Sequence, residues 1–353
     1  MIWSGMMKAL VKYATGIGNF ICKEVAVPRP GEDEALIKVA YAGICGTDLH
    51  IYHDTYPNTP PVVLGHEFSG IIVSLGSRVK NFSVGDRVVS ETNQSYCGVC
   101  ELCQDARYCL CNERKALGQK RDGAFAEYVA VKSSNLFKIS ESMDMKTAAL
   151  AEPLSCVVHA IMERSTIQAG DVVLVSGPGP IGLMALMISV LQGARVIVCG
   201  TSTDANRLQM AKTLGAKRIV DVTQEDLKTV IDEETNNRGC DVVLECSGFG
   251  KAIQNSLSVL KKRGIFTQIG LTEDPTLIDT NLLCFKEIDY RGCLSKTNWS
   301  WRRTVRLMEE RAIPLETLVS HVFKLDDWQQ AIDAAMQRSG LKIVFDIGSE
   351  TSL

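Results

Sequence analysis

Over roughly the first 150 residues, apolar positions come in short runs broken by Gly, Pro, Asn and Asp, the texture of a β-rich chain. Residues 35–40, 70–74, 86–90 and 126–130 each read as a strand, and their spacing predicts an all-β, barrel-like unit. From Asp171 the pattern changes. Residues 171–176 form a continuous apolar run of the kind buried on both faces of a parallel sheet. A glycine-rich turn, a helical stretch over 181–191 and a second apolar run over 195–199 follow. Further strands are predicted at 218–221, 241–245 and 264–269, so alternating βαβ units specify a doubly wound parallel sheet. Amphipathic helices are expected around 301–311 and 326–338, with a strand at 342–345. The fold class is therefore α/β, a β-rich barrel-like part joined to a Rossmann-type sheet.

With 353 residues the chain is long enough for two cores. Its net charge of -3 gives no electrostatic case for nucleic acid or an anionic membrane as partner. No uncharged apolar run approaches the length of a membrane span. Residues 1–8 lack a basic segment followed by an apolar one, so a cytoplasmic protein is expected. The 13 cysteines then matter. In a reducing compartment, clustered cysteines read as metal ligands before they read as disulfides. Cys22, Cys156, Cys199, Cys240, Cys246, Cys284 and Cys293 are scattered and are expected to be small buried hydrophobes.

The remaining cysteines carry candidate chemistry. Cys97, Cys100, Cys103 and Cys111 follow one another at spacings that let four thiolates close on one zinc ion. Cys109 lies in the same window, so either it or Cys111 is the spare. Four thiolates leave no position for substrate, which predicts a structural role; an iron–sulfur cluster or oxidised cysteines are the competing readings. Gly177-Pro-Gly-Pro-Ile-Gly182 fits G-x-G-x-x-G between an apolar strand and a helix, the context in which that motif binds a dinucleotide. Expected cofactor contacts are Gly177, Gly179, Pro180, Ile181, Gly182, Thr201, Ser202, Arg207, Ser247 and Gly270. No acid stands at the tip of the second strand; Thr201, Ser202 and Arg207 suit a 2′-phosphate, while Asp204 can still reach a ribose. The cofactor is accordingly read as NADP or NAD. Cys45 in segment 43–50, His66 in 65–67, and a carboxylate from Glu67 or from segment 151–154 meet the needs of a second zinc site with an open position.

Taken together, Gly-Ile-Cys-Gly-Thr-Asp-Leu-His (43–50), Gly-His-Glu-Phe-Ser-Gly (65–70), Val-Gly-Asp-Arg-Val (84–88), the cysteine-rich stretch (97–111), Glu-Pro-Leu-Ser (152–155) and the glycine turn (177–182) resemble the medium-chain zinc-dependent dehydrogenases over the whole chain. Glu-Pro-Leu-Ser resembles the sorbitol, polyol and threonine branch, and the texture is similar to polyol-phosphate dehydrogenases. The resemblance implies that Cys45 and His66 bind a catalytic zinc, with Glu67 and Glu152 ligating directly, through water or in alternation. It implies a GroES-like catalytic domain from residues 1–156 and 296–353, a Rossmann domain over 157–295, and a homodimer or homotetramer. It further implies a hydride moved between a small polyol or polyol phosphate and NAD(P), with Thr47 and His50 as a proton relay and Asp48 as an orienting or turn residue. Lys296 is a candidate for a substrate phosphate, with Arg114 and Lys115 behind it; a solvated lysine is the alternative. The rival functions are a threonine-type amino-alcohol dehydrogenase, a silent zinc-stabilised binding protein and a thiol redox sensor.

Overall fold

The computed structural model describes residues 5–272 and 274–348. The first four residues of the N-terminal segment weighed above therefore lie outside the described part. The chain divides into two compact units, Met1–Pro153 with Thr297–Leu353, and Leu154–Lys296.

The first unit is built on a seven-stranded sheet whose longest strand, Glu34–Gly43, pairs antiparallel with Glu67–Leu75, Tyr128–Lys132 and Lys342–Asp346. Strands Arg87–Ser90, Leu136–Lys138 and Val319–Lys324 extend it to either side. A second sheet joins Phe20–Ala26, Met6–Lys12 and Val62–Val63. The expected short strands are all present, because each turns alternate apolar side chains into one core. Leu10, Ile37, Val39, Phe68, Phe125 and Phe345 are buried there, and the rings of Phe125 and Phe345 meet edge-on at 5.0 Å. Burying such a side chain is worth about 1.5–3 kcal/mol. The late strand Lys342–Asp346, with Ile343, Val344 and Phe345 all inside, is thus an integral part of this core rather than an appendage.

Register within this sheet places chemistry at one end. Gly43 stands opposite both Glu67 and Val344, so the end of the longest strand, the start of its neighbour and the late strand converge. A Cβ at Gly43 would lie 2.4 Å from a Glu67 carboxylate oxygen and 3.1 Å from Lys342 Cε. Only glycine fits at that crossing. Immediately after it, Cys45 opens the short helix Gly46–Tyr52.

The second unit is a six-stranded sheet, all parallel, in the order Arg218–Asp221, Arg195–Gly200, Val172–Ser176, Cys240–Glu245, Leu260–Gln268, Asp289–Gly292. This is the doubly wound arrangement expected from the alternating pattern, with the first strand at the centre. Every residue of Val172–Ser176 is buried, as a continuous apolar run demands. Among the strands not foreseen are Met6–Lys12, Phe20–Ala26 and Leu136–Lys138 of the first unit, and two more, one in each unit, carry no strong apolar run. Asp289–Gly292 is a polar edge strand with no apolar run, anchored by Tyr290 stacking on Phe266 at 4.8 Å. Val319–Lys324 alternates half-buried with exposed positions and so lacks a strong apolar signature. Among the described residues no helix is long and apolar enough to cross a membrane.

Candidate metal centres and dinucleotide turn

The segments carrying Cys45 and His66 meet in space: ligand atoms of Cys45, His66 and Glu67 all lie within 4.8 Å of one another. Local sequence explains each placement. Gly65 has φ of 89°, a left-handed conformation, and a Cβ there would strike the Phe125 ring at 2.4 Å. That turn delivers His66 and Glu67 to the start of their strand. Asp48 caps its own helix by accepting a hydrogen bond from the Cys45 N–H at 2.8 Å, and its other oxygen lies 3.6 Å from His66 Nδ1. Asp48 is fully buried, which gives the orienting role a physical basis. The Thr47 hydroxyl lies 3.8 Å from the Cys45 sulfur, and His50 sits one turn on, half-buried.

One partner was missed by sequence reasoning. Lys342, buried on the late strand, forms an ion pair with Glu67 and donates to the Ile44 carbonyl at 2.8 Å. No local pattern could reveal a contact spanning nearly the whole chain; the only hint was a lysine at the head of an apolar strand. Burial pushes the Glu67 carboxyl above its usual range, Lys342 opposes that, and the nearby Glu152 charge adds to it. Burial likewise works against charge on Lys342, but Glu67, Cys45 and Glu152 together outweigh it and raise the lysine. For His66 burial is again the opposing influence, and Asp48 holds the ring well above its ordinary value. Glu152 is buried but stands outside the group of three.

The donor set suits zinc. A thiolate, an imidazole and a carboxylate are ordinary ligands of an open zinc site. Glu67 Oε1 is buried without a hydrogen-bond partner, as an atom beside a metal can be.

The second cluster is Cys97, Cys100, Cys103 and Cys111, again within 4.8 Å of one another. Cys111, and not Cys109, is the fourth member of this group. Cys97 lies 3.7 Å from Cys111 and 3.9 Å from Cys103, and its sulfur accepts the Cys100 N–H at 3.4 Å. Backbone N–H groups of Val99 and Cys100 bring the Cys97 thiol down to about 7, whereas burial pushes Cys103 up to about 12. Four sulfurs so close, with one already biased to thiolate, fit a closed tetrahedral zinc site.

In the second unit, Gly177 has φ of 95° and ends the buried strand, and helix Pro180–Leu191 begins at Pro180. A Cβ at Gly182 would lie 1.9 Å from the Gly177 carbonyl oxygen, so the turn tolerates no side chain there. Ser247 and Gly270 come to the same end of the sheet: a Cβ at Gly177 would touch Ser247, and one at Gly270 would touch Gly248. The hydroxyl of Thr201 bonds Asp204 at 3.0 Å and that of Ser202 bonds Asp221 at 2.6 Å. Asp204 is therefore engaged in its own turn, with Arg207 4.0 Å from it and mostly shielded from solvent. The turn, its glycines and the helix start fit a dinucleotide pyrophosphate. Lys296 is buried, which removes the solvated alternative; Lys115 is exposed, and Arg114 donates to Asn93 at 3.1 Å.

Comparison with known proteins agrees with this chemistry. Residues 31–141 match the family model of the alcohol dehydrogenase GroES-like domain, and residues 180–310 that of zinc-binding dehydrogenase. The chain is 41% identical to a sorbitol dehydrogenase of Halalkalibacterium halodurans, covering 96% of this chain and 98% of that one. It is 38% identical to a D-arabitol-phosphate dehydrogenase of Enterococcus avium, over 98% and 99% of the two chains. A zinc-binding dehydrogenase of Sinorhizobium meliloti solved with bound NADP superposes with a TM-score of 0.91 at 33% identity, covering 97% of this chain and 99% of that one.

Proposed function

The chain belongs to the zinc-binding, medium-chain alcohol dehydrogenases, and on that premise we propose that it oxidises a secondary alcohol of a polyol or polyol phosphate to the ketose, with NADP or NAD as hydride acceptor. The observation that carries this reading is the meeting of Cys45, His66 and Glu67 beside a buried cation, Lys342. The polyol rests on the two polyol relatives. In this reading residues 1–156 and 296–353 hold both metals, residues 157–295 hold the dinucleotide, and the enzyme works in the cytoplasm as a homodimer or homotetramer.

When bound, zinc supplies Lewis-acid polarisation of the substrate oxygen and the dinucleotide supplies the hydride-accepting ring. Cys45 and His66 would ligate the ion, with Glu67 and Glu152 as the carboxylates of the site. Asp48, facing His66 Nδ1, fixes the ring and leaves Nε2 for the metal. Lys342 offsets the charge that Glu67 would otherwise bring uncompensated into a buried site. Thr47, beside the Cys45 sulfur, accepts the alcohol proton into a hydrogen-bond chain, and His50 passes it to solvent. The backbone N–H groups of Gly179, Ile181 and Gly182 would frame the pyrophosphate, with Pro180, which has no N–H, opening the helix beside it, and Thr201, Ser202 and Arg207 toward the ribose. Lys296 would meet a substrate phosphate.

The test is a reduction screen of NAD and NADP with pentitols, hexitols, their phosphates and threonine, paired with metal analysis. Turnover with a polyol or its phosphate, and about two zinc ions per chain, is expected. Turnover confined to threonine would overturn the substrate, and an inert, fully metallated protein would overturn the activity.

A further inference from the structure

Glu245 is completely buried at the end of its strand, in the middle of the parallel sheet. A carboxylate in such a place is costly unless its oxygens are fully used. They are. One oxygen accepts the Ser247 N–H at 2.9 Å, the Ser247 hydroxyl, and the Ser176 hydroxyl at 3.4 Å. The other accepts the Gly248 N–H at 3.1 Å and the Gln268 side-chain amide at 2.8 Å. None of these donors is a cation.

The donors belong to three adjacent strand ends. Ser176 closes the strand that leads into the glycine turn, Ser247 and Gly248 follow Glu245 itself, and Gln268 ends the next strand. The main chain of Glu245 adds to the tie, its carbonyl accepting the N–H groups of Ile269 and Gly270 at 2.9 Å each. The loops so joined pack backbone to backbone. A Cβ at Gly177 would stand 2.8 Å from Ser247 Cβ, and one at Gly270 would stand 2.4 Å from the Gly248 nitrogen and 3.0 Å from the Glu245 carboxylate. The height of the glycine turn is thus set by Ser247, and Ser247 is set by Glu245.

In open parallel sheets ligands bind at the carboxyl ends of the strands, where the order reverses. From this geometry we infer that Glu245 is a positioning residue for the dinucleotide. It rests on the reading of Gly177–Gly182 as the dinucleotide turn. The carboxylate touches no ligand; it fixes three loops to one another, so that the backbone N–H groups of the turn meet the pyrophosphate without first having to be ordered. A neutral amide cannot replace it. Glutamine presents an NH2 group to donors on one side or the other, leaving N–H facing N–H.

The experiment uses the zinc-loaded enzyme and its Glu245→Gln variant, with NADPH and NADH binding followed by fluorescence titration. Dinucleotide Kd is expected to rise about tenfold to a hundredfold, and dinucleotide KM with it, while kcat and the alcohol KM stay near wild type. Should Glu245→Gln not fold, Gln268→Met, which removes one donor and keeps the carboxylate, is expected to weaken dinucleotide binding by about threefold to tenfold. A variant that melts lower yet binds both dinucleotides with wild-type Kd makes Glu245 merely structural and overturns the inference. Wild-type enzyme that binds neither dinucleotide overturns the underlying reading instead, so the two failures are distinct.

Discussion

The four-cysteine group draws every donor from one stretch, Cys97 to Cys111, whereas the Cys45 group collects its donors from a helix start and a strand start and leans on a strand far along the chain. The first is built from one kind of atom and is saturated by it. The second mixes sulfur, nitrogen and oxygen and backs them with buried charges, Asp48 on one side and Lys342 on the other. A saturated site can only hold a loop in shape; an unsaturated one must be held in shape by its surroundings so that a position stays open. On the proposed reading, dependence on distant residues is what separates a reactive zinc site from a stapling one.

That contrast can be broken most sharply at its reactive side. Cys45→Ser or His66→Ala should reduce kcat/KM by about a thousandfold or more, with a melting temperature near wild type and dinucleotide binding retained by fluorescence titration. Turnover that survives either change would remove the Cys45 group from catalysis. The reverse profile is expected at the other cluster. Cys100→Ser should lower the melting temperature by about 5 °C or more and release zinc, while the surviving folded enzyme keeps its kcat. A stable protein with a purely catalytic defect would erase the distinction. The smallest effect concerns the way out of the reactive site. His50→Ala is expected to slow turnover by about tenfold to a hundredfold, recovered in part by added imidazole buffer. An unchanged rate and pH profile would take His50 out of the relay.

Legibility in the sequence follows the same divide. The cysteine spacing and the glycine turn were readable because both are local: backbone reach alone brings their atoms together. The strands of the second unit were readable wherever burial forces an apolar run, as in Val172–Ser176, and the polar edge strand Asp289–Gly292 was missed because it has none. Spacing could not choose between Cys109 and Cys111, since both are within reach; it is Cys111, just past the turn Tyr108–Leu110, whose sulfur lies with the other three. Nor could it supply Lys342 or the tie from Glu245 to Gln268, because these contacts depend on which strands become neighbours. Glu152 and Glu67, equals as sequence candidates, are separated in the same way: one heads a strand beside His66, the other starts a helix outside the group.

The place of Lys342 in the chain also bears on how the protein is made. Residues 154–296, an entire parallel-sheet unit, are synthesised between the segments bearing Cys45, His66 and Glu67 and the strand bearing their counter-charge. During translation the early segments therefore emerge with a sheet lacking its partner strand and a carboxylate lacking its cation, and they wait while the intervening unit is produced. The pairing of Glu67 with its cation is thus postponed by chain order itself, whereas the four grouped cysteines are complete in sequence long before.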